Sequence, residues 1–155
     1  IGYEKEEHSD AYRFSIHNKK ICLDLIRLGC VPNKSKILKF PTQEQVPEEL
    51  LNHFIRGYFD GDGSCGRYGE KKRLQFSICG SQFFIDSLAD YLSNKLDYKF
   101  SRFKSNNIKT VSSVSSKKVI EFRDFIYKDA TVFMERKRNR FFSKSRILLT
   151  DIYLI

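Results

Sequence analysis

Apolar residues recur at helical spacing in the segment between residues 47 and 61. They are Leu50, Leu51, Phe54, Ile55, Tyr58 and Phe59, and they predict a helix of about three turns. Pro47 and the two acidic residues after it are typical of a helix start. Gly61 is predicted to end the helix in a left-handed conformation. Gly57 lies mid-helix, where glycine costs about 1 kcal/mol relative to alanine, so we expect another backbone to approach it closely.

The remaining hydrophobic pattern predicts alternating strands and helices. The strands are expected at 11–17, 34–40, 64–68, 72–78, 98–104 and 108–115, and the helices at 19–29, 81–96, 116–127 and 130–142. Turns at 69–70 and 106–107 join neighbouring strands into hairpins. This order predicts an α+β fold in which helices cover one face of an antiparallel sheet.

A short internal repeat links the two halves of the chain. Residues 12–16 (YRFSI) match residues 74–78 (LQFSI), and similar helical spacing follows both. This pattern predicts a pseudo-repeated fold with two copies of a strand followed by a helix. We therefore expect a partial first repeat at 1–46 without its own glycine-bearing helix, a complete repeat at 47–142, and a C-terminal extension at 143–155.

The charge balance indicates a polyanionic partner. The chain has 155 residues, with 28 Lys and Arg against 19 Asp and Glu, and a formal charge of +9. This length suits one compact unit with a real core, and a basic excess is typical of proteins that bind nucleic acid. Any simple nucleic-acid-binding protein would show the same excess, so charge alone does not separate an enzyme from a binding module.

Cysteine usage and hydropathy indicate an intracellular protein. The four cysteines have no Cys-x-x-Cys spacing, so reduced thiols are predicted rather than a zinc site or a disulfide framework. No apolar run approaches the ~20 residues that a membrane-spanning helix needs, and no signal peptide is visible. We expect an intracellular location, in a bacterium, a phage or an organelle, without contact with a membrane.

Two carboxylates separated by one glycine follow the first predicted helix. Asp60 and Asp62 could hold a metal ion, although Asp-Gly pairs are also common in surface turns. An EF-hand calcium loop is excluded, because Cys65 stands where the loop needs glycine and Lys71 stands where it needs the closing glutamate.

Residues 55–63 (IRGYFDGDG) resemble the LAGLIDADG motif of homing endonucleases. Residues 127–131 (YKDAT) and 133–137 (FMERK) are similar to the closing segment of the same family, where a helix ends in an Arg-Lys pair. The resemblance implies a saddle-shaped antiparallel sheet with helices on one face. It also implies a site-specific endonuclease for double-stranded DNA, carried by an intron, an intein or a free-standing mobile gene.

The resemblance assigns roles to six residues. Asp62 is expected to bind Mg²⁺ or Mn²⁺ with help from the Gly61 carbonyl, for metal-dependent hydrolysis of the phosphodiester. Asp60 is expected to be structural. Lys137 is expected to polarise the attacking water or stabilise the pentavalent phosphate, while Arg136 and Arg138 position the DNA backbone.

The resemblance also implies an incomplete active site. In this family two motif helices pack together, each contributes one aspartate, and Gly57 would lie at their interface. This chain shows one motif, and Gly80 stands where some relatives have glutamine. Its single methionine is Met134, so a native start before Ile1 is expected. A second copy or an N-terminal repeat would complete the site. The alternatives are a non-catalytic DNA-binding regulator of the same fold and an RNA-binding intron splicing cofactor, or maturase.

The predicted sheet offers a surface for DNA. In residues 73–78 the apolar side chains face the core, and Arg73, Gln75 and Ser77 face outward. Arg13 and Ser15 occupy the equivalent places in the first repeat. Arginine and glutamine suit guanine and adenine edges in the major groove. The predicted surface also includes Arg67, Lys72, Arg102, Lys104 and Lys109, the lysines as phosphate contacts.

Overall fold

The computed structural model describes residues 2–5, 12–105 and 108–142. These described ranges contain six strands: β1 (Gly2–Lys5), β2 (Tyr12–Ser15), β3 (Gly63–Tyr68), β4 (Arg73–Gly80), β5 (Ser101–Ser105) and β6 (Ile108–Ser113). The α-helices are α1 (Lys19–Arg27), α2 (Leu51–Asp62), α3 (Gln82–Lys95), α4 (Ser116–Tyr127) and α5 (Glu135–Phe142). None of the helices in these described ranges is long and apolar enough to cross a membrane.

Four strands form an antiparallel sheet in the order β3-β4-β6-β5. The hairpins β3-β4 and β5-β6 lie side by side, joined through pairing of β4 with β6. Strand β4 alternates buried and more exposed residues because one face of the sheet is covered by helices. The predicted α+β class and the antiparallel sheet with helices on one face are confirmed.

The core lies between the sheet and the helices. Buried residues of β3, β4 and β6 that face this core include Cys65, Phe76, Ile78 and Val111. Helices α3, α4 and α5 contact these strands, and α2 packs against α4. Rings of α2, α4 and α5 meet at Phe59, Phe122 and Phe141. We call this side of the sheet the helix side.

The opposite side of the sheet, which we call the open face, is almost neutral. Its strand positions follow from the register and the burial alternation. They are Ser64, Gly66, Tyr68, Arg73, Gln75, Ser77, Cys79, Ser101, Phe103, Ser105, Ile108, Thr110 and Ser112. Arg73 is the single charged residue among these strand positions. The open face is therefore a wide surface of hydroxyl, amide and aromatic groups, on the side of the sheet that the helices do not cover.

Three local predictions were wrong. In place of the strand expected at 34–40, a short 3-10 helix at Lys34–Lys36 follows Asn33 in a left-handed conformation, and neither of the described sheets includes these residues. The last helix begins at Glu135 rather than near 130. Gly61 does not end α2 in a left-handed conformation, since the helix continues to Asp62 and the capping Gly63 is extended.

The first half of the chain contains the predicted strand and helix, with one strand that sequence reasoning missed. Strand β1 pairs with β2 in a separate two-stranded antiparallel sheet. The side chain of Asn18 caps α1, as that of Ser81 caps α3. Gly29, which follows α1, has a left-handed conformation, with φ of 94°. The division at residues 46 and 142 stays a prediction, and 143–155 and the turn at 106–107 lie outside the described residues.

Candidate active site

The end of α2 carries the two aspartates to the edge of the open face. Gly63, the first residue of β3, allows this close passage from helix to strand. A Cβ atom at Gly63 would overlap the ring of Phe59, and it would lie 2.6 Å from the Phe59 carbonyl oxygen. The last glycine of the DGDG sequence is therefore required by packing, because the ring of Phe59 fills the space beside it.

The carboxylate of Asp62 is exposed, and it makes no hydrogen bond or ion pair with the described residues. The Cys79 thiol donates to the Asp62 backbone oxygen (3.4 Å), and the Tyr58 hydroxyl donates to the Cys79 backbone oxygen (3.1 Å). These contacts join the end of α2 to β4, so Asp62 lies directly beside the open face. Burial and, secondarily, the Asp62 carboxylate raise the pKa of Tyr58 to about 12, which keeps its hydroxyl protonated.

Gly80 stands at the position where the resemblance noted in the sequence implies a glutamine in some relatives. A Cβ atom there would overlap the hydroxyl of Tyr58. Glycine is thus required by the approach of Tyr58 to β4. Sequence reasoning gave Tyr58 only a packing role, although a tyrosine within an apolar helical stripe is itself a sign that a polar partner lies nearby.

The Asp60 carboxylate makes a structural contact with the start of α5. One of its oxygens, Oδ2, accepts a hydrogen bond from the Met134 backbone nitrogen (2.9 Å) at the start of α5. Its other oxygen, Oδ1, is buried and has no partner within the described residues. This geometry supports the structural role expected for Asp60 and leaves Asp62 as the available carboxylate of the pair.

The Lys137 side chain lies against the end of α2 and not beside the open face. Only 5% of it is exposed. Its ammonium donates to the backbone oxygens of Phe59 (2.8 Å), Asp60 (2.8 Å) and Gly61 (3.3 Å). Burial, reinforced by the nearby Arg136, lowers the pKa of Lys137. The carbonyl of Gly61, expected to help bind the metal, is thus already an acceptor for a cation.

A buried arginine that sequence reasoning missed anchors the middle of α2. Arg56 is 7% exposed, and its guanidinium donates to the backbone oxygens of Val132 (2.9 Å) and Ile126 (3.0 Å). It also meets the ring nitrogen Nδ1 of His53 at 2.7 Å. An arginine inside an apolar helical run was the available signal, since a buried guanidinium needs partners. It fixes the segment that leads into α5.

The predicted DNA-contact residues of β4 lie together. Arg73, Gln75 and Ser77 are all on the open face, with Lys72 in the adjoining turn. Residues on β6 that sequence reasoning missed extend this surface, because Ser112 pairs with Ser77 and Thr110 with Cys79. The alternation around buried Val111 was the signal for them.

Three other predicted contacts are not found on the open face within the described residues. Ser15 belongs to the separate β1-β2 sheet, while the side chain of Arg13 is outside the described residues. Arg67 is on the helix side of β3, where it donates to the Lys72 carbonyl (3.3 Å).

Three predicted cations of the second hairpin are not on the open face. Arg102 and Lys109 form ion pairs with Asp86 of α3, and Arg102 also pairs with Asp90. Lys104 pairs with Lys109 in the register and shares its side of the sheet. The expectation that these residues join Gln75 on one surface was wrong, because the alternation of β5 and β6 places them on the helix side.

The predicted phosphate-positioning arginines lie on α5. Arg136 is exposed, and it donates to the Met134 sulfur at 3.5 Å. The guanidinium of Arg138 stacks on the rings of Phe133 (4.8 Å) and Phe142 (4.9 Å). Stacking holds the guanidinium plane while leaving N–H groups at its edge.

The outer surface of α2 forms one wall of a groove of about 440 Å³. Gly57, Gly61 and Asp62 lie in this wall, with Leu38 and Ile108 among the residues opposite. Apart from its chain neighbours and the nearby backbone of α2 itself, no described atom lies within 4 Å of a Cβ built at Gly57 or Gly61. The close backbone contact expected at Gly57 is therefore absent from the described part of the chain, and the partner helix stays a prediction.

The donor set fits part of a magnesium site. Within the described residues no three His, Cys, Asp or Glu side chains are grouped so that they could hold a metal ion. Mg²⁺ is commonly held by one or two carboxylates together with substrate phosphate oxygens and water. The exposed carboxylate of Asp62 supplies one such ligand, so a second carboxylate from another helix would be needed for a symmetric site.

Comparison with known proteins gives matches among solved structures. The chain is similar to homing endonucleases of known structure. One is the LAGLIDADG homing endonuclease I-LtrWI bound to target DNA, with 14% identity over 57% of this chain and 33% of that chain, and a TM-score of 0.44. Another is the homing endonuclease I-CvuI in complex with the I-CreI target in the presence of 2 mM Mg, with the DNA not cleaved. That likeness has 16% identity over 59% of this chain and 61% of that chain, and a TM-score of 0.42.

This chain therefore spans about a third of the first of these proteins and about three fifths of the second. No family model matches the chain. A search of the curated proteins finds no match either.

Proposed function

We propose that this chain is part of a LAGLIDADG-type endonuclease that hydrolyses double-stranded DNA with a divalent metal ion. The observation that carries the proposal is the contrast between the two aspartates of the motif. Asp60 is engaged with α5, whereas the Asp62 carboxylate is exposed beside the open face and has no partner within the described residues. A free carboxylate next to a wide, nearly neutral surface in a basic protein suits a metal ion bridging to a DNA phosphate.

Asp62 would hold Mg²⁺ or Mn²⁺ jointly with oxygens of the scissile phosphate. Such an ion activates water and stabilises the leaving oxygen. The chain's own contribution is to keep the carboxylate of Asp62 at the edge of the sheet, through the contacts of Cys79 and Tyr58 with the backbone. Protonated Tyr58 does not act as the base, because its pKa is raised to about 12.

The open face would bind the duplex. Gln75, Ser77 and Ser112 present hydrogen-bonding groups toward base edges, and Arg73 with Lys72 lies where the backbone would pass. Arg136 and Arg138 are placed on α5 and would position the phosphate backbone near the active site. We expect neutral side chains of the open face to read the base sequence and cations at its edge to bind the phosphate backbone.

A second motif helix would occupy the groove against Gly57 and Gly61. Glycine at both positions leaves the helix surface open, which permits a close backbone contact. The second helix would come from another copy of this chain or from an N-terminal repeat, and it would bring the second carboxylate. Cleavage of both strands would then require that partner.

The first test is selection of duplexes from a random DNA library by the intact chain, with structured RNA and single-stranded DNA as competitors. We expect enrichment of one duplex sequence, with binding that does not require Mg²⁺. Enrichment of structured RNA alone would favour a splicing cofactor. Sequence-specific binding without any later cleavage would favour a regulator.

The salt dependence of DNA binding should separate free cations from engaged ones. Removing one cation that binds a phosphate reduces the slope of log K against log salt by about 0.9. We expect Arg73→Gln to reduce the slope by about this amount. Arg102→Gln is the matched control, because Arg102 is held by Asp86 and Asp90, and its slope should equal that of the wild type. Fluorescence anisotropy at four salt concentrations measures both, and a larger effect at Arg102 would contradict the assignment of faces.

A further inference from the structure

The ammonium of Lys137 has no donor left for a substrate. An ammonium carries three N–H donors, and three backbone oxygens lie within 3.3 Å of the Lys137 nitrogen. These oxygens belong to Phe59, Asp60 and Gly61 in the last turn of α2. The Phe59 oxygen also accepts from the backbone amide of the capping Gly63, whereas the last carbonyls of a helix, such as those of Asp60 and Gly61, lack partners inside it. Lys137 therefore caps the C-terminal end of α2 from a different helix.

Asp60 makes the reciprocal contact. Its carboxylate accepts from the Met134 amide, and the Met134 carbonyl accepts from the amides of Lys137 and Arg138. Met134 thus stands at the N-terminal end of α5, where amides lack partners inside the helix. A side chain of α5 caps α2, and a side chain of α2 caps α5, so the two helix ends are held as one unit.

The end of α2 needs this support. Gly57 and Gly61 both lie within the helix and are both exposed, and each costs about 1 kcal/mol of helix stability relative to alanine. Glycines that leave room for a partner also make the last turns easier to unwind. Asp62 is the last residue of that helix, so loss of the cap would release the carboxylate that carries the chemistry.

We propose that Lys137 is a positioning residue that acts through the end of α2 and does not contact the phosphodiester. This inference rests on the proposed function, since Asp62 is the group being positioned. It replaces the role expected for Lys137 from sequence, which placed its ammonium on the attacking water or on the phosphate.

The inference is tested with three variants: Lys137→Met, Asp60→Asn and the double variant. For each, the single-turnover rate of cleavage of the selected duplex is measured as the Mg²⁺ concentration is varied. We expect each single change to raise the Mg²⁺ concentration for half-maximal rate several-fold, with the shape of the pH-rate profile unchanged. The effect on cleavage in the double variant should be no larger than in the worse single variant, because both changes release the same helix end. If Lys137 were catalytic, its replacement would instead alter the pH-rate profile and leave the Mg²⁺ requirement unchanged. Its effect on the cleavage rate would also multiply with the effect of Asp60→Asn in the double variant.

Amide hydrogen exchange gives a readout that does not depend on cleavage. In Asp60→Asn, the milder change, we expect faster exchange at residues 61–64 and unchanged exchange in α3. Unchanged exchange at residues 61–64 would overturn the inference even if the wild type cuts DNA. If the wild type cuts no nucleic acid, the proposed function fails, and the exchange result alone decides whether the two side chains hold the helix end.

Discussion

Replacement of Asp62 by asparagine should slow cleavage severely and leave the fold intact. A metal ligand contributes several kcal/mol to the transition state, and each 1.4 kcal/mol changes the rate about ten-fold. We therefore expect a loss of about a thousand-fold in single-turnover rate. Duplex binding should remain, because the open face is unchanged. The thermal midpoint should also remain, since the Asp62 carboxylate is exposed and makes no hydrogen bond or ion pair with the described residues.

Asp124→Asn is the matched control for that experiment. Asp124 is an exposed aspartate on α4, and it pairs with the neighbouring Arg123. Its replacement should leave the cleavage rate within about two-fold, since exposed pairs contribute little. Equal losses in the two variants would mean that the effect comes from overall charge, and Asp62 would no longer be the metal ligand.

Phe59→Ala should cause the largest loss of stability. Phe59 is fully buried, its ring lies 5.3 Å from that of Phe141 and 5.8 Å from that of Phe122, and it also packs over Gly63. Truncation of a buried phenylalanine costs about 3–5 kcal/mol. This is a large part of the 5–15 kcal/mol that stabilises a typical domain.

Urea unfolding measures this loss, with Phe103→Ala as the control. Phe103 lies on the open face and is 61% exposed, so its truncation should cost less than about 0.5 kcal/mol. Similar free energies of unfolding for the two variants would contradict the burial of the Phe59 ring against Phe122 and Phe141.

The bounds and the faces of elements with one strongly buried face could be predicted from sequence, whereas the faces of an exposed strand could not. Strand β4 and helix α3 follow the expected bounds closely, because Leu74, Phe76 and Ile78 alternate with polar residues. Strand β5 is exposed at every position, so its pattern contains no information about faces. A one-residue change of register moves every side chain to the other face, which is why Arg102 was placed wrongly.

The motif could be recognised from sequence, but not the contacts that shape it. The pairing of Asp60 with the Met134 amide depends on how α5 meets α2, and those residues are distant in the chain. The requirement for glycine at position 63 depends on the ring of Phe59. Sequence reasoning placed Lys137 near the motif, while its engagement with three carbonyls depends on the packing of two helices.

The most direct test of the central claim is incubation of the wild-type protein with its selected duplex, in Mg²⁺ and in excess chelator. We predict strand scission at one position in Mg²⁺, none in chelator, and restoration when Mn²⁺ is added. Because a second motif helix completes the proposed site, the rate should rise on addition of the missing partner or of more protein. Scission that persists in chelator, or that is equally fast in Asp62→Asn, would contradict the account.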